Sequence, residues 1–324
     1  MTPDFDMILA ARERLRGVAA LTPLLESDLL NEMAGRRVLV KAECLQRTGS
    51  FKFRGAWSCL TALTEAQRAR GVLAYSSGNH AQGVALAAKL LGVRAVIVMP
   101  ADAPASKREN TQAYGATVVA YDRAGGEDRE AVGAAIAERE GLTLVRPYDE
   151  PLVIAGQGTC GLEIAEQAAS AGVTRADVLV CCGGGGLTSG IALALERTAP
   201  GLRVRTAEPV SHDDAARSLA SGARVANAPD ALSICDAIVT PTPGEVTFPI
   251  MRRLCGPGLT VSDAEALAGM AAAFARLKLT LEPGGAVALA AALFRKREID
   301  GDAVIAVASG GNVDAPMFAR ALAA

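Results

Sequence analysis

Lys52 lies in a setting that suits covalent chemistry with an aldehyde. It stands between Phe51 and Phe53 in RTGSFKFRGA, and it is one of six lysines in a chain with 27 arginines. Apolar neighbours disfavour the ammonium form and lower the pKa of an amine, as a Schiff-base lysine requires. The other five lysines, including Lys41 in a strand pattern and Lys107 in a helical one, are predicted to be solvated.

Four consecutive glycines predict a phosphate site. In VLVCCGGGGLTSGIALALERTA an apolar strand runs directly into a helix through Gly183, Gly184, Gly185 and Gly186. Exposed backbone N–H groups and the positive end of the helix favour an anion, and the hydroxyls of Thr188 and Ser189 add donors. A glycine turn that serves only tight packing is the alternative.

A dinucleotide-dependent oxidoreductase is a rival class for the same loop. Glu208 closes the next strand, about where an acid that binds a ribose would lie. The spacing argues against this class, because Ser189 stands at the third glycine of G-x-G-x-x-G when the count starts at Gly184.

Two further turns carry small polar groups at strand ends. The turn SSGNHAQG precedes a helix and has more side-chain donors than the glycine run, so it fits a carboxylate that must be oriented; an ordinary helix cap is the alternative. The turn ASGGNVD ends a strand at Ser309, and a plain turn is its alternative. A phosphorylated aldehyde on Lys52, together with an amino-acid carboxylate, accounts for all these features.

The elements that would position these groups alternate as strand and helix. Apolar runs rich in Val and Ile are followed by Gly or polar residues and then by Ala/Leu-rich helical patterns. Strands that are apolar on both faces belong in a parallel sheet covered by helices, so we predict an α/β fold. The predicted strands are Arg37–Glu43, Gly71–Ser76, Arg94–Pro100, Thr117–Tyr121, Leu142–Arg146, Asp177–Cys182, Arg203–Glu208 and Ala303–Ser309.

Composition narrows the class of protein. With 33 Lys+Arg against 35 Asp+Glu, the net charge of −2 offers no general basis for binding nucleic acid. The seven cysteines include no C-x-x-C pair, and neither a signal peptide nor a run of 18 apolar residues occurs, so we expect a cytoplasmic protein that does not bind a membrane. The irregular stretch Ser221–Gly258 is either a loop that lines a cleft or a surface excursion.

The motifs resemble those of the fold type II pyridoxal-phosphate (PLP) enzymes, in the serine/threonine dehydratase and serine racemase branch, close to 3-hydroxyaspartate dehydratases. GSFKFRGA, SSGNHAQG, IAGQGT, GGGGL, AEPVSHDD, LEPGGA and SGGNVD appear in the family's order and spacing over nearly the whole chain. The resemblance implies two open, twisted, mostly parallel sheets flanked by helices, as in tryptophan synthase β. It also implies a large PLP-binding domain (1–69 and 149–324), a small mobile domain (70–148) and a homodimer.

The same resemblance assigns the cofactor and the substrate contacts. Lys52 would bind PLP covalently, Asn79 would hydrogen-bond to the ring oxygen, and Ser309 would pair with the pyridine nitrogen. The phosphate would be bound by Gly183, Gly184, Gly185, Gly186 and Leu187. The substrate carboxylate would lie among Ser76, Ser77, Gly78 and His80.

Ser77 is an informative position within the branch. Threonine dehydratases usually have S-A-G-N-H here, whereas racemases and hydroxyaspartate dehydratases have S-S-G-N-H, as this chain does. By the resemblance, Ser77 is a second acid/base that faces Lys52 across the cofactor plane.

A cation site is implied as well. Glu208 and Asp214 would supply carboxylates, and His212 its backbone carbonyl, to Mg²⁺ (or Ca²⁺ or Mn²⁺). The alternative is that these acids belong to the N-terminus of a helix.

Arg129 points to the substrate. The racemase branch has an arginine here that can meet the second carboxylate of a dicarboxylic acid, whereas a solvated helix arginine is the alternative. Tyr148 stands where animal racemases have asparagine and is similar to a dehydratase in this respect, and Ala237 stands where the family often has glycine, so the resemblance alone does not assign the substrate. We predict a PLP-dependent dehydratase that converts 3-hydroxyaspartate to oxaloacetate and ammonia. Serine/threonine dehydratase and serine racemase are the alternatives, and a non-catalytic amino-acid sensor is a remote one.

Overall fold

The computed structural model describes residues 2–76, 78–103, 105–122 and 125–323, without the side chains of residues 105 and 106. In this part of the chain the strands are β1 Leu24–Glu26, β2 Arg37–Lys41, β3 Val72–Tyr75, β4 Ala95–Pro100, β5 Thr117–Tyr121, β6 Thr143–Leu144, β7 Ala176–Cys181, β8 Leu202–Pro209, β9 Leu259–Val261 and β10 Ala303–Val307. The α-helices are α1 Phe5–Leu15, α2 Asp28–Ala34, α3 Lys52–Thr61, α4 Glu65–Arg70, α5 Asn79–Leu91, α6 Ala105–Ala113, α7 Arg129–Glu140, α8 Pro151–Ser170, α9 Gly186–Thr198, α10 Asp214–Ser221, α11 Thr247–Leu254, α12 Asp263–Ala272, α13 Pro283–Phe294 and α14 Ala315–Ala323.

The larger sheet has the strand order β1-β2-β10-β7-β8-β9 and is parallel except for β1. Its central strands are buried on both faces. In β10, Val304 and Ala306 pack in the core under α13, whereas Ile305 and Val307 pack against α8 and α9. Since side chains alternate along a strand, this double burial explains why the central strands are apolar throughout.

The smaller sheet has the order β5-β4-β3-β6, and all its pairs are parallel. Helices α3 and α5 cover one face, and α7 covers the other. Helix α3 packs against both α5 and α8, so its first residue, Lys52, lies where the helices of the two sheets meet.

The predicted α/β class and the eight predicted strands are confirmed, with ends that differ by up to two residues. Leu142–Arg146 is the largest discrepancy, because only Thr143 and Leu144 pair with β3. Strands β1 and β9 were not predicted, since three-residue edge strands carry too little periodicity. The division into a large and a small mobile domain stays a prediction.

Lys41 is buried, so the prediction of a solvated amine was wrong. Its Nζ donates to the Glu163 carboxylate at 2.6 Å and to the Gln167 side chain at 2.9 Å. Arg54 also donates to Glu163 and forms a two-pronged ion pair with Glu43. A strand covered on both faces has no solvent side, and the buried charges are instead paired.

The stretch 221–258 is not irregular throughout, because it contains α11. Residues 236–241 line the cavity described below, which agrees with the cleft interpretation. None of the described helices is both long and apolar enough to cross a membrane.

Candidate active site

A cavity of about 640 Å³ lies at the carboxyl ends of β3, β7 and β10. Such crevices are the usual ligand sites of open parallel sheets. Its lining includes Lys52 and the glycine loop, which we define as residues 183–186. It also includes Asn79, His80, Arg129 and Ser309, so residues far apart in the sequence meet at one site.

Lys52 presents its amine to this cavity. Nζ donates to the carbonyl of Pro147 at 2.8 Å and lies 5.2 Å from the ring centre of Phe51. Burial lowers the pKa of Lys52 from 10.5 to about 8, and the charge of Glu282 opposes the shift. An amine with this pKa is largely neutral at slightly alkaline pH, which favours nucleophilic attack on an aldehyde.

The glycine loop cannot accommodate larger residues. A Cβ on Gly184 would lie 2.2 Å from the ring of Tyr148, and Gly185 has φ of +90°, which L side chains rarely adopt. The Thr247 hydroxyl donates to the Gly184 carbonyl at 2.6 Å and holds the loop from the other side. Helix α9 starts directly at Gly186, so its first N–H groups lack helical partners.

Two hydroxyls beside the loop fit an anion. Thr188 and Thr240 both line the cavity with buried hydroxyls; Thr240 Oγ1 has no hydrogen-bond partner among the described residues, and the Thr188 hydroxyl contacts only the thiol of Cys182, a weak acceptor. Ser189, which the sequence also suggested as a donor, instead donates to the carbonyl of Thr247 at 3.1 Å. The oxygens of a phosphate would accept hydrogen bonds from both hydroxyls and from the loop N–H groups. The residues present therefore fit the phosphate of PLP at this end of the cavity.

Asn79 belongs to a second polar group that lines the cavity. Its Nδ2 donates to Glu282 Oε1 at 2.5 Å, and its Oδ1 accepts from Asn312 at 2.7 Å. Burial raises the pKa of Glu282 to about 7, although the hydrogen bond from Asn79 opposes the shift. Ser309 is buried at the end of β10 and touches the Cys181 thiol. Ser309 also lines the cavity, and its pairing with the pyridine nitrogen stays a prediction.

The turn before α5 is described at Ser76 and Gly78 and continues into His80. Ser76 accepts a hydrogen bond from Gly78 N at 3.2 Å. Burial lowers the pKa of His80 to about 3, and its Nε2 lies 2.9 Å from the Val145 carbonyl. Because a carbonyl only accepts, Nε2 carries the proton and Nδ1 is an acceptor without a partner among the described residues. A substrate carboxylate would therefore meet the first N–H groups of α5 rather than the imidazole. Ser77 lies outside the described residues.

Arg129 is the first residue of α7 and lies at the cavity wall. Its guanidinium is 5.5 Å from the ring centre of Tyr75, and it forms no ion pair within the described ranges. Tyr75, Arg129 and Tyr148 also line an adjoining cavity of about 180 Å³. An exposed cation that these residues leave unpaired can meet a negative group of the substrate.

Lys107, predicted to be an ordinary solvated lysine, also lines the cavity. Its Nζ donates to Asp236 Oδ2 at 2.8 Å. Because Lys107 lies on α6 and Asp236 in the segment between α10 and α11, the pair bridges the two sides of the cavity mouth.

Glu208 and Asp214 form the acidic pair predicted to bind a cation. Glu208 accepts from the N–H groups of Ala215 and Ala216 at 2.9 and 2.8 Å, which is the helix N-terminal arrangement given as the alternative. Burial and the neighbouring Asp214 raise the pKa of Glu208, and burial raises the pKa of Asp214 to about 6. Asp214 Oδ2 is buried without a hydrogen-bond partner in the described part of the chain.

Asp214 Oδ2 is the oxygen of this pair that is left to meet a cation, because both Glu208 oxygens accept from N–H groups. No cluster of three or more His, Cys, Asp or Glu side chains suited to a metal occurs among the described residues. A cation here would therefore need backbone or water oxygens besides Glu208 and Asp214, as oxygen-seeking Mg²⁺ and Ca²⁺ accept. The His212 ring contacts the Ser211 hydroxyl through Nδ1 at 3.1 Å. Binding of a cation by the His212 carbonyl stays a prediction.

Sequence reasoning missed Glu282, Asn312 and Asp236 as site residues. Glu282 had one usable signal in the sequence: it is an acid directly before P-G-G at the start of a helix. An acid is rarely buried in such a position. Asn312 lies in the motif SGGNVD, whereas Asp236 carried no signal; only tertiary folding brings these residues to Asn79 and Lys107.

Comparison with known proteins agrees with this geometry. Residues 15–310 match the family described as pyridoxal-phosphate dependent enzyme. The chain is 45% identical to L-threo-3-hydroxyaspartate ammonia-lyase from Pseudomonas sp over 97% of both chains, and 42% identical to serine racemase from Schizosaccharomyces pombe over 99% of this chain and 97% of the racemase. The crystal structure of a threonine deaminase from T.th. aligns with a TM-score of 0.90 and 44% identity, covering 96% of this chain and 99% of the deaminase.

Proposed function

This chain belongs to the fold type II pyridoxal-phosphate dependent enzymes, and from that premise we propose that it is a dehydratase that converts 3-hydroxyaspartate to oxaloacetate and ammonia. The observation that carries the proposal is one cavity that unites the Lys52 amine, the glycine loop and the Arg129 guanidinium, which has no ion-pair partner in the part of the chain that the structure describes. The relative from Pseudomonas, an ammonia-lyase for L-threo-3-hydroxyaspartate, supports the substrate class.

Different residues of the cavity would bind different parts of the cofactor. The glycine loop, Leu187 and the hydroxyls of Thr188 and Thr240 would hold the phosphate, and Lys52 would bind the aldehyde carbon. Asn79 and Ser309 would contact the ring. When bound, PLP withdraws electrons from Cα of the amino acid and so makes its proton acidic.

Lys52 is the proposed base on one face. With a pKa of about 8 its amine can both accept a proton from Cα and release it near neutral pH. We propose Ser77 as the acid/base for the opposite face. The Pro147 carbonyl keeps Lys52 Nζ oriented through a hydrogen bond of 2.8 Å.

Arg129 would select the substrate. The α-carboxylate would lie at the N-terminus of α5, near Ser76, Gly78 and His80, and Arg129 would meet the second carboxylate from the other side of the cavity. Charge-assisted hydrogen bonds of this kind contribute about 1.5–3 kcal/mol each. Serine and threonine lack the second carboxylate and would forgo this contact.

Serine/threonine dehydratase and serine racemase are the alternatives, since both would use the same Lys52 and Ser77. The similarity to the S. pombe serine racemase supports a racemase side activity. A non-catalytic amino-acid sensor is disfavoured, because a sensor needs no buried amine facing a phosphate loop.

The proposal includes a divalent cation, Mg²⁺ or Ca²⁺ or Mn²⁺, bound by Glu208, Asp214 and the His212 carbonyl. It also includes a cytoplasmic homodimer, whose mass in sedimentation equilibrium would be twice 33.2 kDa.

The test is ammonia release from L-serine, D-serine, L-threonine and the four stereoisomers of 3-hydroxyaspartate, with wild type and Arg129→Ala. We expect Arg129→Ala to lower kcat/KM for hydroxyaspartate about 10- to 100-fold and to leave serine nearly unchanged, as the loss of a contact of about 1.5–3 kcal/mol implies. Arg139→Ala is the matched control, because Arg139 lies on the same helix and pairs with Glu140. Turnover of threonine that equals or exceeds that of hydroxyaspartate, and is indifferent to Arg129, would overturn the substrate assignment.

A further inference from the structure

Asn227 contacts both the predicted cation site and the wall of the cofactor cavity. It lies in the segment between α10 and α11, and its side-chain Nδ2 donates to Asp214 Oδ1 at 2.6 Å and to the Thr240 carbonyl at 2.8 Å. Its backbone N–H donates to the Pro241 carbonyl at 2.8 Å. One residue thus contacts both the acidic pair and the wall of the cofactor cavity.

The orientation of this amide is determined by its neighbours. Asn227 Oδ1 accepts from the Arg217 guanidinium at 2.8 Å. Carboxylate and carbonyl oxygens can only accept here, and a guanidinium can only donate, so the reversed amide would break three hydrogen bonds. Asn227 therefore holds Asp214 and Thr240 in a defined relation.

The contacts continue from Thr240 to the glycine loop. A Cβ placed on Gly183 would lie 3.2 Å from Ile238 Cα and 3.3 Å from Thr240 Cγ2, so this segment packs closely against the first loop glycine. Thr240 and Pro241 both line the cavity. A shift of the Thr240 backbone would therefore change the space available beside the predicted phosphate.

Asp214, at the other end of this chain of contacts, has one carboxylate oxygen that could bind a cation. Oδ1 is occupied by Asn227, whereas Oδ2 is buried without a partner in the described residues. A cation bound at Oδ2 would fix the carboxylate, and the rigid carboxylate would fix Asn227 through Oδ1. Glu208 alone could not pass the effect of a bound cation to Asn227, because its two oxygens accept from N–H groups at the start of α10.

We propose that Asn227 couples the cation site to the cofactor cavity: a cation at Glu208 and Asp214 orders Asn227 and the Thr240–Pro241 wall, and so tightens PLP binding. This inference rests on the cation site of the proposed function. By linkage, PLP must raise the affinity for the cation by the same factor.

The test is a binding cycle by isothermal titration calorimetry. PLP is titrated into wild-type apoprotein with EDTA or with Ca²⁺, and Ca²⁺ into the apo- and holoprotein. We expect both Kd values to fall by the same factor of about 5 or more. In Asn227→Ala and Asn227→Ser we expect a factor below about 2, with Ca²⁺ still bound. Ser233→Ala is the matched control, because it removes a 2.6 Å hydrogen bond of the same segment to Asp263 and leaves Asp214 untouched.

A measurement on the wild type does not depend on the folding of any variant. Hydrogen–deuterium exchange should show that Ca²⁺ slows exchange of the Asn227 amide, which donates to Pro241. Unchanged exchange at Asn227 would overturn the inference, as would coupling that persists in both Asn227 variants.

Two further outcomes distinguish a failure of the cation site from a failure of the coupling alone. If wild type binds neither Ca²⁺ nor Mg²⁺, the cation site itself fails and the inference fails with it. If wild type binds Ca²⁺ but PLP affinity is the same with and without it, only the coupling is refuted.

Discussion

Burial, rather than a neighbouring base, lowers the pKa of Lys52. Its Nζ contacts a carbonyl and an aromatic ring, and the charge of Glu282 opposes the lowering of its pKa. The folded protein therefore tolerates a destabilising group because the chemistry needs a neutral amine, a common feature of active sites.

Lys52→Met should stabilise the cofactor-free protein at neutral pH. The pKa of Lys52 is lowered from 10.5 to about 8, so below pH 8 the wild type folds with a disfavoured ammonium group. The penalty is fully present below pH 8 and vanishes as pH rises through 10.5. We expect Lys52→Met apoprotein to be more stable on the order of 1–3 kcal/mol at pH 7, with the difference shrinking by about pH 10.5, as measured by urea unfolding.

The same variant should lose turnover, because methionine can neither bind the aldehyde nor move a proton. Lys89→Met, at an exposed lysine, is the control for both readouts. Equal stability of Lys52→Met and wild type across this pH range would contradict the assigned burial.

At the scale of elements, the junction of β7 and α9 makes the anion site. Strand β7 ends at Cys181, the glycine loop follows, and α9 begins at Gly186 with its N–H groups directed at the cavity end. Tyr148 and Thr247 hold the loop from two sides, which explains why glycine is needed at position 184.

Gly184→Ala should weaken PLP binding about tenfold or more. The added Cβ would lie 2.2 Å from the Tyr148 ring, and overpacking of this kind costs about 1–3 kcal/mol. Fluorescence titration of apoprotein with PLP would measure the effect.

A second substitution tests the cause. In a Tyr148→Ser background the clash is absent, so adding Gly184→Ala should change the Kd for PLP little. An equally large loss in both backgrounds would show that steric contact with Tyr148 is not the reason.

At the scale of the whole molecule, the site depends on how the two sheets and their helices face each other. The glycine loop belongs with the six-stranded sheet, and Tyr75, Asn79 and Arg129 belong with the four-stranded one. Lys52 lies at the junction between them, at the start of α3. The Lys107–Asp236 ion pair crosses the mouth of the cavity between these parts.

Lys107→Met should raise the KM for the substrate about two- to fivefold, because it removes a weak bridge across the cavity mouth. The two side chains are 27% and 60% exposed, so the pair is screened and contributes at most about 1 kcal/mol. The KM of wild type should approach that of the variant in about 0.5 M salt, as steady-state kinetics would measure.

Asp236→Asn distinguishes the ion pair from a direct contact of Lys107 with substrate. If the pair is responsible, Asp236→Asn matches Lys107→Met, and the double variant is no worse than either. Additive effects would refute the bridging role.

The sequence alone determined the local features. The glycine loop, Lys52 between two phenylalanines and the turns at strand ends are visible because each depends on residues within a few positions. The α/β class followed from apolar runs, since strands covered on both faces need apolar residues at every position. Cofactor class and reaction class followed from motif order across the chain.

Only the tertiary structure decided which side chains meet. Lys41 has the local pattern of a solvated lysine and is buried against Glu163, 122 positions away. Ser189 has the same local surroundings as Thr188, but α11 brings the Thr247 carbonyl to it. Glu282, Asn312, Asp236 and Asn227 acquire their partners in the same way. Local sequence limits backbone geometry, whereas burial and hydrogen bonding depend on residues that folding brings together from distant parts of the chain.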